Sequence, residues 1–316
     1  MSVIYDKIST RDAFGLALIE KARTDDKLFA IGADTTKSMG FKPMMAEFPD
    51  RVINCGIAEQ DMALMGAGIA AAGGRAVIGT YAPFASMRIA EQVRTFICYP
   101  NLDVKVISGL GGLSGNIEGV THQGIEDVGI VRCMANMVIA VPADAASCVA
   151  ISKVILDYKG PAYLRIGRGP VEKVFDDEYT FEIGKANLLD AAGTDIAIIC
   201  NGCAVARVLR AKALWEEAGI HARIVEMPCV KPIDREAILS SVADCGKIVT
   251  VEEHNIIGGL GSAVCEVVCE SEKPCRVTRV GIDDVYTESG PHDQLLDKYN
   301  LSPEHIAKVV IDAVKA

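Results

Sequence analysis

Four loops carry residue types that could do chemistry, and each follows a run that reads as a β-strand. They are Gly32-Ala-Asp34-Thr-Thr-Lys-Ser38, Asn54-Cys-Gly-Ile-Ala-Glu59-Gln60, Tyr81-Ala-Pro-Phe84 and Gly109 to Gln123. In open α/β sheets, ligands gather outside the carboxyl ends of the strands, so these loops are the first candidates for a site. Glu59 opens a helix that is otherwise Ala, Gly and Met. An acid in a first turn is accounted for by the helix dipole alone. Flanks this apolar also favour the protonated carboxyl, which suits a group that shares a proton with a ring nitrogen. Gly109 to Gly119 holds five glycines in eleven residues, followed by Val120-Thr-His122-Gln. Such a loop lets backbone approach a ligand closely, and the helix expected to follow it favours negative charge. His122, near Glu118, is therefore a better catalytic candidate than His221, His254, His292 or His305.

These loops must be positioned by the elements around them. Short apolar runs predict strands at 28–33, 52–54, 76–80, 104–108, 138–141 and 162–166. Amphipathic or buried helices are predicted over 11–22, 58–72, 84–96, 125–134 and 143–156. The alternation predicts parallel sheets covered on both faces. The apolar stretch from Met62 to Met87 carries Arg75, Pro83 and several glycines, so it reads as a packed helix and a buried strand rather than a membrane span. A charged segment with Asp176, Asp177 and Glu178 between Val171 and Gly193 marks a domain boundary. A smaller βα series follows, with strands predicted at 195–200, 222–226, 247–251 and 276–280 and a closing helix at 303–316.

Composition narrows the function class. The 316 residues carry a formal charge of -10 and no basic stripe interleaved with aromatics, which argues against nucleic acid. Eleven cysteines are scattered without metal-type pairing, which fits a reducing cytoplasm. Cys200 and Cys203 form a lone CxxC, read as small buried thiols rather than a redox pair. No Walker motif, GxGxxG fingerprint, HExxH or GxSxG elbow is present.

Taken together, Gly56-Ile-Ala-Glu59-Gln60, Phe84 and Glu118-Gly-Val-Thr-His122-Gln resemble the pyrimidine-binding and C-terminal domains of transketolases and of the related deoxyxylulose-phosphate synthases. The resemblance covers nearly the whole chain. It implies two α/β domains: a mostly parallel pyrimidine-binding sheet domain at 1–185, then a smaller transketolase C-terminal-like domain at 186–316. It further implies a cytoplasmic enzyme that moves a two-carbon ketol unit from a ketose phosphate to an aldose phosphate with thiamine diphosphate. Glu59 would hydrogen-bond the aminopyrimidine and Phe84 would pack on its face, with Tyr81, Met87 and Arg88 completing the pocket and Asp34 in the loop facing the cofactor. His122 would contact donor and acceptor near the reacting carbons, and Glu118 a substrate hydroxyl. Arg11, Ser38 and Arg168 match positions that hold the sugar phosphate, whereas Arg165 is expected to make a surface salt bridge.

Three departures from the family pattern matter. Leu110 and Gly111 stand where a histidine or charged group is frequent, and Glu118 stands where aspartate is usual. The Gly-Asp-Gly motif that holds the diphosphate through Mg2+ is absent. A separate N-terminal transketolase subunit is therefore expected to supply the metal ligands, in an assembly with two copies of each chain. Glu252-Glu-His-Asn255 and Gly258-Gly-Leu-Gly261 extend the resemblance into the second domain, which is expected to support structure and dimerisation. Other readings are a subunit like deoxyxylulose-phosphate synthase or 2-oxo-acid dehydrogenase β, and a non-catalytic partner of the same fold.

Overall fold

The computed structural model describes residues 8–316. Two sheets organise the chain. The first has seven strands, β1 (Leu28–Gly32), β2 (Val52–Asn54), β3 (Arg75–Tyr81), β4 (Val104–Gly109), β5 (Val138–Ala140), β6 (Ala162–Arg165) and, from far along the chain, β10 (Cys229–Lys231). Their spatial order is β10-β5-β6-β4-β3-β1-β2. The second sheet contains β7 (Asn187–Asp190), β8 (Ile196–Cys200), β9 (Ala222–Glu226), β11 (Lys247–Asn255) and β12 (Arg276–Ile282), ordered β12-β11-β8-β9-β7. All pairings are parallel except β10 with β5 and β7 with β9. β3 and β4 are buried along nearly their whole length, which is why they read as continuous apolar runs rather than alternating ones.

Helix starts follow from capping. Ser9 Oγ accepts from Asp12 N–H at 3.1 Å and opens the helix Thr10–Thr24. Asp144 and Ser147 form a reciprocal box at Ala145–Asp157, and Ser302 caps Pro303–Lys315. Asp144 also accepts from the Val174 and Phe175 amides, both at 2.8 Å, so the same carboxylate pins the segment joining the domains.

Several expectations need correction. The helix expected over 84–96 is not a regular α-helix: Phe84–Arg88 and Val93–Cys98 are wide π turns around one short α turn at Ala90–Gln92. Such bulges are frequent at functional sites. The helix expected over 125–134 is confined to Asp127–Arg132, and His122 lies in a separate 3-10 turn at Val120–His122. Arg165 is no surface residue. Its Nε meets Asp127 Oδ1 at 3.0 Å, both side chains are buried, and Nη2 donates to Gly124 O at 2.6 Å and Glu253 O at 2.9 Å. Strands β7 and β10 were not anticipated.

The buried pair gives a stability expectation. Arg165→Ala would strand the Asp127 carboxylate and should lower the unfolding free energy by ~3–5 kcal/mol. Urea denaturation measures this, and a loss below ~1 kcal/mol would show that solvent already screens the pair.

Candidate active site

The loops leaving β1, β2, β3, β4 and β6 emerge at one edge of the first sheet and carry or lead into the candidate residues, except Tyr81, which ends β3, and Arg11, which lies in the helix Thr10–Thr24. Glu59 is the first residue of the helix Glu59–Ala71 and is 5% exposed. Its Oε1 lies 3.2 Å from Nη1 of Arg88, whose side chain is 50% exposed. Glu59 therefore meets a cation as well as its apolar helix. The Arg88 guanidinium also lies 4.5 Å from the Phe84 ring centroid.

Phe84 belongs to a triangle of rings. Tyr81 lies 6.0 Å from Phe84 and 5.4 Å from His122, and Phe84 meets His122 edge-on at 5.6 Å. These separations are those of favourable aromatic pairs. Thr121 Oγ1 sits 2.8 Å from His122 Nδ1, which orients the imidazole. The structure thus brings Glu59, Arg88, Phe84, Tyr81 and His122 into one connected set.

A second group lies on a neighbouring rim. Arg168 pairs with Glu118 through a short ion pair. Thr10 Oγ1 accepts from Gly167 N–H at 2.8 Å, and Ser9 bridges Pro170, so Arg11 and Arg168 lie on adjacent turns. Arg11 itself contacts Asp12 at 3.2 Å. Ser38 is half-buried in the turn that ends at Gly40, where any Cβ would collide with Arg11 O. Asp34 is exposed, with a left-handed φ of 60°. Asn54 carried no expected role, yet its Oδ1 accepts from Asp34 N–H at 2.8 Å and Gly56 N–H at 3.2 Å, tying together the loops that carry Asp34 and Glu59. An Asn ending a strand two residues before a glycine is the available signal.

Large apolar side chains close to Glu59 and Arg88 in the chain are exposed. Ile57 is 79% and Met87 50% exposed, and Leu64, Phe96 and Tyr99 are further large apolar side chains left open to solvent.

The sequence matches the family description "Transketolase, pyrimidine binding domain" over residues 6–173 and "Transketolase, C-terminal domain" over 184–306. The chain belongs to the transketolase family. A protein named as a putative transketolase C-terminal section from Methanocaldococcus jannaschii is 39% identical over 307 residues, covering 96% of each chain. An apulose-4-phosphate transketolase subunit of Phocaeicola vulgatus is 36% identical, covering 98% of each. Among solved structures, a split-gene transketolase, described as an inactive β4 tetramer, is 40% identical with a TM-score of 0.88, covering 98% of this chain and 99% of that one. No helix among the described residues is long and apolar enough to cross a membrane.

One polar cluster of this transketolase-family chain escaped sequence reasoning because its members come from three distant segments. Glu253, buried on β11, accepts from Leu113 N–H at 2.7 Å and from Cys203 Sγ at 3.0 Å, and lies 2.6 Å from His292 Nε2. Burial and the Glu253 charge push the Cys203 thiol well up, so it stays a protonated donor rather than half of a redox pair. Burial alone would raise the Glu253 carboxyl, but the His292 charge and hydrogen bond, with Arg165, hold it below its ordinary value. Burial would likewise lower His292, yet the Glu253 charge and hydrogen bond, helped by Asp293 and opposed by Arg207, raise it above its ordinary 6.5.

The sign follows from linkage. A raised histidine contributes stability that is fully present below 6.5 and is lost as pH rises through the higher folded value. The thermal midpoint of the natural chain should therefore fall, relative to His292→Gln, as pH rises above 6.5 through the raised folded-state value. Parallel pH profiles for the two proteins would contradict the pair.

Proposed function

We propose that this chain is the catalytic half of a split transketolase, active only with a separate N-terminal-type subunit. In this reading it transfers a two-carbon ketol unit between phosphorylated sugars with thiamine diphosphate. The single observation that carries the reading is the buried Glu59 carboxylate linked through Arg88 to the Phe84, Tyr81 and His122 rings, with Ile57 and Met87 exposed nearby in the chain.

The residues fit the cofactor's ring. A buried acceptor next to aromatic faces suits a heteroaromatic ring with a basic nitrogen, and Glu59 has only a half-exposed arginine to give up in exchange. When bound, the cofactor supplies an acidic thiazolium carbon able to cleave the bond beside a ketose carbonyl. Glu59 holds a proton at the pyrimidine nitrogen. Phe84 packs on the ring, with Tyr81, Arg88 and Asp34 around it. His122, held by Thr121, hydrogen-bonds oxygen atoms near the reacting carbons and moves a proton there. Glu118 takes a substrate hydroxyl, while Arg168, Arg11 and Ser38 receive the distal phosphate.

The diphosphate and its Mg2+ fall to the other subunit. Covering Ile57 and Met87 against that subunit would exclude water from Glu59 and bury apolar surface at ~25 cal/mol per Å2. The solved relative's description as an inactive β4 tetramer supports dependence on a second chain, and the Phocaeicola relative's name as a transketolase subunit supports the same division. A two-plus-two assembly is the closed symmetric form proposed for the pair of chains. Eleven free cysteines support a cytoplasmic location.

The chain alone should show no ketol transfer, and addition of the partner chain, Mg2+ and thiamine diphosphate should restore it; robust activity of the isolated chain would refute the split site. In the reconstituted mixture Glu59→Gln should slow turnover and thiazolium proton exchange by at least ~100-fold while leaving the melting curve in place. An unchanged exchange rate would remove Glu59 from the chemistry. Arg168→Ala should raise KM by about tenfold for phosphorylated ketoses and much less for unphosphorylated ones. Equal effects on both would discard the phosphate role.

A further inference from the structure

The segment carrying His122 has little conformational preference of its own. Five of the eleven residues from Gly109 to Gly119 are glycine, and each residue fixed there costs ~1–2 kcal/mol of backbone entropy. Leu110 and Asn116 are held at φ of 58° and 52°, where residues with a side chain seldom sit. Such conformations persist only where surrounding structure imposes them. Here the first domain supplies part of that structure, with Gly111 N–H donating to Ile166 O at 3.1 Å and Gly124 N–H to Leu110 O at 3.3 Å, and the second domain supplies the rest.

The attachments run along the loop. Glu253 takes the Leu113 N–H at 2.7 Å, and any Cβ on Gly112 would collide with Glu253 Cδ, so the carboxylate is pressed against the loop's backbone. A Cβ on Gly119 would lie 2.5 Å from Ser289 Oγ. Gln123, the neighbour of His122, donates to Glu288 O at 2.9 Å and accepts a short hydrogen bond from Thr287. Arg165 joins Gly124 O to Glu253 O, and Asn255 N–H donates to Ile125 O at 2.8 Å. Leu113 and Ile125, one on each side of His122, are packed in the apolar core of the second domain with Val251, Ile282 and Leu295.

We propose that Glu253 is a positioning residue: from the second domain it fixes the start of the His122 loop, and so holds the imidazole against Tyr81 and Phe84. This assigns the second domain a part in the reaction beyond structural support, and it rests on the functional reading above. Cys203, Glu253 and His292 also bring three ligand-type atoms within 4.8 Å of one another. Their hydrogen bonds to one another and to Leu113 already use these atoms, and Arg165 and Arg207 place positive charge beside them. The geometry is that of a hydrogen-bonding hub rather than a cation site.

Glu253→Ala leaves the buried Leu113 N–H without an acceptor, whereas Glu253→Gln keeps one. Amide hydrogen exchange on the full chain reads the clamp directly. Residues 110–124 should exchange at least about tenfold faster in Glu253→Ala, with β3, β4 and β8 unchanged, and Glu253→Gln should restore most of the protection. In the mixture with the partner chain, Mg2+ and thiamine diphosphate, kcat should fall in the same order, Ala far more than Gln. Should Glu253→Ala fail to fold, Thr287→Val loosens the other end of the loop and should raise exchange at 120–124.

Unchanged exchange at 110–124 in a folded Glu253→Ala would overturn the proposal, as would unchanged exchange in Thr287→Val where Glu253→Ala does not fold. So would equal losses in the Ala and Gln variants, or one tightly held zinc per chain that disappears in Glu253→Gln. Faster loop exchange in a chain that never transfers ketol units under any condition would uphold the clamp and reject the functional reading, so the two failures are distinguishable.

Discussion

A carboxylate that is 5% exposed must be paired, and in this chain Glu59 is paired with an arginine that is itself half in solvent. That asymmetry shapes the site. Burial makes an unpaired charge costly, so Arg88 is held against Glu59 while its guanidinium also lies over Phe84. Because Arg88 reaches solvent, it can be displaced by a ligand without being buried alone. Close to the same carboxylate in the chain, Ile57 and Met87 are exposed. Pocket and interface are therefore one problem: whatever covers Ile57 and Met87 also dries Glu59.

The second requirement is order in a loop that has none by itself. The glycines that let the backbone pass Glu253 and Ser289 closely also remove any local preference. The second domain supplies what the loop lacks through Glu253, Thr287, Glu288 and a shared apolar core. Strand β10 works in the same direction, since it leaves the second domain to pair with β5 of the first sheet. The two halves of the chain are interlocked rather than merely adjacent, which limits the ways the loop could move relative to Tyr81 and Phe84.

Much of this was legible in the sequence, for identifiable reasons. Strands β1, β3, β4 and β6 are buried on both faces, so their apolar runs stand out; Tyr81 ends β3, Phe84 and His122 lie in the segments after β3 and β4, and Glu59 follows the short strand β2. Features set by distant partners were not legible. Arg165 reads as a surface charge until Asp127, thirty-eight positions away, and Glu253, eighty-eight away, close around it. The Cys203, Glu253 and His292 hub spans ninety residues of sequence and carries no spacing signal. β10 has three residues between prolines, too few for periodicity to register. The π turns over 84–98 keep the three-to-four spacing of an ordinary helix, so only coordinates distinguish them.

The central claim is that the buried acid at the head of Glu59–Ala71 exchanges its arginine for a cofactor ring. A crystal structure of this chain with its partner subunit, Mg2+ and thiamine diphosphate tests it most directly. The account predicts a Glu59 carboxylate oxygen within ~2.6–3.2 Å of the pyrimidine ring nitrogen, with Arg88 turned away. A loaded complex in which Glu59 still holds Arg88 and the pyrimidine lies elsewhere would contradict it.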